Sequence, residues 1–526
     1  MPAFDWQLPY PSRRSPVLAR NVVSTSQPLA AQAGLRMLLQ GGNAADAAIA
    51  AAVALTVVEP VMNGIGSDAF ALIWDGETLH GLNASGRAPL AWTPERFAGR
   101  DTMPEEGWDS VSVPGAVSAW AAVSKRFGRL PFAELLQPAI EYAANGFLVS
   151  PVVAMQWDEQ VEQFRNQPGF AEAFLRDGRA PRAGELFRFP EQADTLREIG
   201  RTRGESFYRG ALAERIVAFA DGAGLTREDL ASHTPDWVSP ASQSYRGYLV
   251  HEIPPNGQGL AALIALGILE HFDLASLGPD SADCLHLQVE AMKLAFADVY
   301  RHVSDPETMG YRWQDFLARE YVKSRAQLIA PRRASAPVAG APPSGTVYLT
   351  AADASGMMVS YIQSNYQGFG SGIVVPGTGI SLHNRGSGFC LQPGHPNLVG
   401  PGKRPFHTII PGFVTRDGKA VMSFGVMGAD MQPQGHVQMV SRVIDHGQNP
   451  QAAADAPRWK IALNGDLLLE SRVDERVSAR LSNLGHRVNR EPADSRKFGA
   501  AQLVYRLDDG YLAASEPRRD GQAVGF

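Results

Sequence analysis

The sequence is short of the features that mark a stapled, membrane-bound or nucleic-acid-binding protein. Its 526 residues include two cysteines, Cys284 and Cys390. That is too few for a disulfide framework or a zinc ribbon, and two buried free thiols are expected. No basic tract occurs, and Lys+Arg 48 against Asp+Glu 54 leaves a formal net charge of −6. That balance argues against a general nucleic-acid binder, whose affinity rests on clustered Lys and Arg. The longest apolar stretch, Ala47–Val58, falls well short of the about 20 residues a membrane span needs. Residues 1–15 carry two arginines with no apolar run behind them, so no signal peptide is read there and the cytoplasm is the expected compartment. The G-x-S-x-G, G-x-G-x-x-G and G-x-x-x-x-G-K-[ST] patterns are all missing, which removes the commonest hydrolase, dinucleotide and P-loop signals. His383, His395 and His407 are evenly spaced, but no carboxylate lies near them in sequence. They are expected to be loop histidines, and neither a metal nor a cofactor is expected.

What is present is a large globular chain, 44% hydrophobic, either multi-domain or one big enzyme fold. Gly41-Gly42-Asn43 precedes Ala44–Val58, a small-residue run that predicts a closely packed core helix. Residues 110–330 read as mainly helical, with amphipathic pieces at Phe132–Ala144 and Ser281–Tyr300 and a strand at Gly247–Ile253. Residues 331–345 (PRRASAPVAGAPPSG) change character to Pro, Ala, Ser and Gly, so an exposed, weakly ordered segment is expected. Immediately after it the period switches to strands. Thr346–Ala352, a turn at Asp353–Gly356 and Met357–Gln363 form a hairpin. Gly-rich loops and strands follow, with one helix near Gln432–Gly447. The fold class is α+β or α/β with layered sheets.

A threonine hydroxyl is a weak nucleophile unless a base stands beside it. Cleaving the peptide bond before a threonine frees its own α-amino group, whose unperturbed pKa of ~7.7–8.0 suits it to take the hydroxyl proton. The same hydroxyl can attack the preceding carbonyl, which gives self-cleavage. Thr346, opening a strand after a linker with unhindered Gly345 on the acyl side, fits both steps.

Eight stretches carry a family likeness: GGNAADAA (Gly41–Ala48), VVEPVMNGIGSDAF (Val57–Phe70), SVPGAVSAW (Ser112–Trp120), PPNGQG (Pro254–Gly259), GTVYLTAAD (Gly345–Asp353), FGSGIVVPGTGI (Phe369–Ile380), PGKRP (Pro401–Pro405) and ADAPRW (Ala454–Trp459). In number and order they resemble the gamma-glutamyltransferase family of N-terminal-nucleophile hydrolases. The resemblance implies a four-layer αββα sandwich and an inactive precursor cut before Thr346 into a large subunit, 1–345, and a small one, 346–526. It implies that Thr346 is the nucleophile and that Ser364, where the family has a second threonine, hydrogen-bonds it. It also implies that the backbone N–H groups of Gly428 and Ala429 form the oxyanion hole.

The donor pocket departs from the family pattern. Gly388 stands where a carboxylate binds the donor ammonium, His407-Thr408 where a serine pair grips its carboxylate, Tyr366 where an asparagine is usual and Asp68 where a glycine is usual. No Asp or Glu occurs from Ala354 through Arg416, so a buried ammonium would lack a partner while an anionic donor would be welcome. Arg87, displaced about two positions from the family's carboxylate-binding arginine, and Arg385 are the candidates to bind it through a bidentate fork. Asp68 is read either as a substitute ammonium partner or as a helix N-cap. These departures resemble a side branch with cephalosporin-acylase-like proteins and an oxamate amidohydrolase. The expected activity is hydrolysis of the amide of a small carboxylate-bearing acid, such as oxamate or a glutaryl or glutamyl amide. The alternatives are a true gamma-glutamyltransferase acting on glutathione, and an unprocessed, non-catalytic member, for which Gly345 speaks because the family often has a polar residue there. The expected partners are a small amide substrate and the protein's own two processed chains, with no nucleic acid and no membrane.

Overall fold

The computed structural model describes residues 14–220, 222–336 and 345–526. Residues 331–336 are largely exposed, as expected of the linker. Its remainder up to residue 344, and most of the N-terminal stretch read for a signal peptide, lie outside the described residues.

Fourteen strands build two seven-stranded sheets. In chain order they are β1 (Val17–Ala19), β2 (Val22–Thr25), β3 (Asp68–Trp74), β4 (Leu79–Asn83), β5 (Asp236–Val238), β6 (Ala241–Tyr245), β7 (Tyr248–Glu252), β8 (Gly345–Ala352), β9 (Met358–Tyr366), β10 (Gly412–Arg416), β11 (Lys419–Met427), β12 (Ala500–Leu507), β13 (Gly510–Ala514) and β14 (Gln522–Gly525). One sheet runs β14-β2-β8-β9-β3-β4-β5 and the other β1-β13-β12-β11-β10-β7-β6. The expected hairpin is β8–β9, and β9 runs three residues further than its apolar pattern suggested. It occupies the middle of its sheet, paired to β2 on one side and β3 on the other.

Three hydrophobic clusters mark where these layers meet. Phe70, Tyr348, Ile362, Phe413 and Val504 fill the space between the two sheets. Gly425 of β11 permits that approach, because a Cβ there would sit 2.4 Å from the Tyr348 ring. On the outer face of the first sheet lies α2 (Ala44–Val58), against β8 and β9. All 15 of its residues are buried, as the run of alanines predicts. Asn43 and Asp46 close a capping box at its start, and Ala44 N–H donates to Asp353 in the hairpin turn. The outer face of the second sheet carries α4 (Gly259–Leu269) on β6 and α6 (Met431–Ile444) on β11. Beside them pack α5 (Ala282–His302), while α3 (Ala116–Phe127) packs against α2 and β3.

Three readings need correction. The amphipathic piece at Phe132–Ala144 is two helices, Phe132–Leu135 and Gln137–Asn145, because Pro138 has no N–H to continue the first and instead opens the second. The helix near Gln432–Gly447 is α6, which stops at Ile444. Both cysteines are free, but only Cys284 is buried; Cys390 is partly exposed in a turn-rich loop. No helix among the described residues is long and apolar enough to cross a membrane.

Candidate active site

Thr346 lies in a β-bulge. β8 and β9 pair Gly345 with Tyr366 and then Val347 with Gln363, so Thr346 falls where the ladder is offset. Its side chain turns to Ser364 on the partner strand, Oγ to Oγ at 3.2 Å. Ser364 is the hub of the site. Its hydroxyl donates to the Gly345 carbonyl at 2.6 Å and accepts from Tyr366 N–H at 2.7 Å and from Arg385 Nη2 at 3.3 Å. Four partners around one hydroxyl hold Ser364 in rotation, and its donated proton polarises the carbonyl that precedes Thr346. Gly345 suits its place sterically, since a Cβ there would stand 3.2 Å from the Gln367 and Gly368 backbone. Thr346 itself is 1% exposed, so no donor reaches its hydroxyl while the chain before it is intact.

Arg385 is buried and spans the cluster. Its Nη1 donates to Thr408 Oγ1 at 3.0 Å, and its guanidinium stacks 4.2 Å above the Tyr366 ring. Tyr366 ends β9 with φ of +77°, a left-handed conformation that places this ring under the arginine. Burial pushes the Tyr366 phenol up to about 12 and draws Arg385 down to about 10, so at neutral pH the first is uncharged and the second charged.

Asp68 comes from β3, where it pairs in register with Ser364. Its carboxylate is buried, yet His383, His407 and Arg385 outweigh that burial and hold it well below the usual carboxylate range. His407 Nε2 lies 3.0 Å from one oxygen, His383 Nε2 3.5 Å from the other, and Arg385 Nε 4.0 Å away. Gly86 and Gly115 also donate their N–H groups, the latter at the start of α3. Ile409 N–H donates to His407 Nδ1 and Arg385 N–H to His383 Nδ1, which leaves each ring its Nε2–H facing Asp68. Burial lowers His407 to about 3 and also lowers His383, so both rings are neutral. The charges of the cluster are therefore one anion and one cation. Arg385 Nε and His383 Nε2 are buried without a hydrogen-bond partner among the described residues.

Gly428 and Ala429 link β11 to α6 with φ of +126° and +54°. Their carbonyls are committed: Gly428 O accepts from Met431 N–H, and Ala429 O from Gln432 N–H and from Gln258 Nε2. Among the described residues neither of their own N–H groups meets an acceptor. Gln258 also donates to Thr408 O, and so ties this turn to the strip that carries His407 and Thr408. A cavity of about 680 Å³ opens beside Gly345, lined among others by Glu105, Gln160, Gln367, Arg496 and Arg519.

The structure thus gathers Thr346, Ser364, Tyr366, Arg385, His407 and Thr408, six of the expected site residues, around Asp68. Arg87 belongs elsewhere: it pairs with Asp305 at 3.2 Å, donates to Gly402 O and is 40% exposed. Gly388 lies in a short turn where a Cβ would meet Phe406 O at 2.6 Å, which leaves no room for the carboxylate the family has there. Asp68 is not the N-cap of a helix, since it opens β3. His395 stands apart and bonds Tyr300 O, whereas His383 and His407 are buried cluster members rather than loose loop histidines. Gln258 was missed, although the PPNGQG stretch that contains it was the available signal.

A family model described as gamma-glutamyltranspeptidase matches residues 30–526. The chain is 38% identical over 527 residues to a glutathione hydrolase-like YwrD proenzyme of Bacillus subtilis, covering 98% of this chain and 100% of that one. It is 38% identical over 514 residues to an oxamate amidohydrolase proenzyme of Klebsiella pneumoniae, covering 95% and 97%. The crystal structure of a cephalosporin acylase from Bacillus halodurans matches with a TM-score of 0.95 at 48% identity, covering 100% of this chain and 99% of the other.

Proposed function

The chain belongs to the gamma-glutamyltranspeptidase family, as its motifs implied, and on that premise we propose that it is a self-cleaving threonine amidohydrolase of a small acyl donor bearing a free carboxylate. It is an enzyme whose relatives are named as amidohydrolases, acylases and hydrolases. The stacking of α2, the two sheets and α4 with α6 supports the four-layer αββα sandwich of N-terminal-nucleophile hydrolases.

In the proposed first step Thr346 Oγ attacks the Gly345 carbonyl carbon and the peptide C–N bond breaks. The resulting ester is hydrolysed to chains 1–345 and 346–526. One observation carries this reading: the Ser364 hydroxyl reaches both the Thr346 hydroxyl and the carbonyl it would attack. In the second step the freed amine, near its ordinary pKa, takes the hydroxyl proton as Oγ attacks the donor amide. The N–H groups of Gly428 and Ala429 receive the oxyanion, the amine leaves, and water resolves the acyl-enzyme. An anionic donor is favoured because Arg385, which donates through Nη2 to Ser364, keeps an unpartnered Nε–H, while Asp68 already accepts from His407, Gly86 and Gly115. Oxamate and glutaryl- or glutamyl-like amides have the required carboxylate, and His407, Thr408 and Tyr366 would shape the pocket around it.

Intact mass analysis of fresh wild-type protein beside Thr346→Ala tests the nucleophile. The expected result is two chains in the wild type, the smaller beginning at Thr346, and one chain of 56.7 kDa in the variant. An uncut wild type at neutral pH would overturn the reading in favour of a non-catalytic member. Release of product from gamma-glutamyl-p-nitroanilide, with oxamate and glutaryl amides untouched, would instead identify a glutathione-type enzyme.

A further inference from the structure

Away from the nucleophile, three buried side chains converge that no spacing in the sequence reveals. His286 and Glu290 lie one helical turn apart on α5, and His486 comes from the loop between the helix Glu475–Asn483 and the strand Val488–Glu491. One ligand atom from each lies within 4.8 Å of the other two. We propose that these residues bind a divalent transition ion of the zinc type, and that the ion staples the large piece of the chain to the small one. Ion binding uses nothing from the chemistry assigned to Thr346; the stapling role rests on the proposed cut.

Three atoms that close together share a centre within about 2.8 Å of each. Reaching the ~2.1 Å of a zinc–nitrogen or zinc–oxygen bond therefore asks each side chain to move by less than 1 Å. Two imidazole nitrogens and a carboxylate select a borderline ion over calcium or magnesium, which prefer oxygen donors. The orientation of His286 is also that of a ligand. Its Nε2–H donates to the Ala330 carbonyl at 2.9 Å, so its Nδ1 lone pair is presented to His486 Nε2, 2.8 Å away. A backbone carbonyl holding the far nitrogen is the usual support of a metal-bound histidine. Glu290 is aimed in the same manner, by Ser335 N–H at 2.8 Å. A carboxylate oxygen has two lone pairs, so ligation leaves that bond in place.

Without an ion, His486 Nε2–H donates to His286 Nδ1, while Glu290 is bonded by Lys293 and Ser335. The feature that separates the two states is Lys293, whose ammonium donates to Glu290 at 2.8 Å and to Ser335 O at 3.1 Å. In a hydrogen-bond network Lys293 is a stabilising partner. Toward a cation it is a competitor, a second positive charge beside the same carboxylate. The site also crosses the proposed cut, since His286, Glu290 and the 330–335 strip precede residue 345 and His486 follows it. Ala334 N–H already donates to Leu484 O across that seam.

The test is titration of the purified protein, with residues 1–345 and 346–526 both present, with Co²⁺ as a visible-absorbing stand-in, followed by displacement with Zn²⁺. One equivalent of Co²⁺ with ligand-field bands, lost on adding Zn²⁺, is expected for the wild type. His486→Gln and Glu290→Gln should each weaken that binding at least tenfold, and Lys293→Met should strengthen it several-fold. Far-ultraviolet circular dichroism identifies any variant that has failed to fold, and the remaining variants then decide. Wild-type protein that develops no bands, bands that persist in both ligand variants, or a Lys293→Met chain that binds no more tightly would each overturn the proposal.

Discussion

At the scale of single residues, the two arginines raised by the sequence separate cleanly. Arg87 is engaged by Asp305 at the surface, while Arg385 is buried against Ser364, Thr408 and Tyr366. Arg385→Lys keeps a positive charge beside Asp68 but removes the planar fork, so the chain should fold and KM for an anionic donor should rise roughly 10–100-fold, the worth of a charge-assisted hydrogen bond. Arg87→Ala should leave KM within twofold. Steady-state kinetics on oxamate and glutaryl amides check both, and an equal effect of the two variants would remove the physical basis of the anionic-donor reading. Substituting Arg385 by Ala is a poorer probe, because it would strand the buried Asp68 charge and cost about 3–5 kcal/mol in stability.

At the scale of elements, the hairpin β8–β9 decides where the Thr346 side chain points. The bulge at Thr346 turns its side chain to Ser364, and the register of β9 on β3 delivers Asp68 to the same spot. Such placement depends on how closely the two sheets approach. Gly425→Ala would press a methyl group into the Tyr348 ring, two residues along β8 from Thr346. The expected outcome is a loss of about 1–3 kcal/mol in denaturant unfolding, the usual penalty of overpacking, together with slower self-cleavage on a gel time course. A variant that cleaves at the wild-type rate would show that the site tolerates a change in sheet spacing.

At the scale of the whole molecule, the proposed cut does not divide two domains. In one sheet β8, β9 and β14 follow it while β2 to β5 precede it; in the other, β10 to β13 lie between β1 and β7 from the preceding part. The two chains share both sheets and all three of these cores, so they should co-elute and separate only when denaturant unfolds them, which size exclusion with and without guanidinium checks. The pH dependence of stability is also collective. His233 and His251 are lowered to about 4 and His407 to about 3 by burial, from the ordinary 6.5. Between those values the unfolded chain binds protons that the folded one refuses, so stability falls as pH drops below 6.5. Burial raises Glu59 to about 7 and also raises Glu252 and Asp430, which opposes the trend above their ordinary values, while His302, His383, His446 and His486 are lowered like the three named and add to it. Thermal unfolding should therefore show Tm falling from pH 6.5 toward 4.5, by on the order of a few kcal/mol of stability. A Tm that rises over that range would contradict the burial of these histidines.

The sequence by itself determined the local elements and the candidate chemistry. A run of alanines after Asn43 can only pack as a close-set helix, and a linker that turns abruptly into β-branched residues can only open a strand, so α2, the hairpin and Thr346 were legible without coordinates. Ser364, Gly428 and Ala429 came only from the family resemblance, carried over position by position. What only the tertiary structure decided are meetings between distant segments: Asp68 with Arg385 and His407, Gln258 with Thr408 and Ala429, and His286 with His486. The reason is physical. Propensity, capping and periodicity act over a few residues and leave their mark in the local sequence, whereas the partner of a buried charge is set by strand register and layer packing, which bring together positions separated by hundreds of residues. Asp68 was open to two readings from its neighbours in sequence, and its place at the start of β3 removes the helix N-cap.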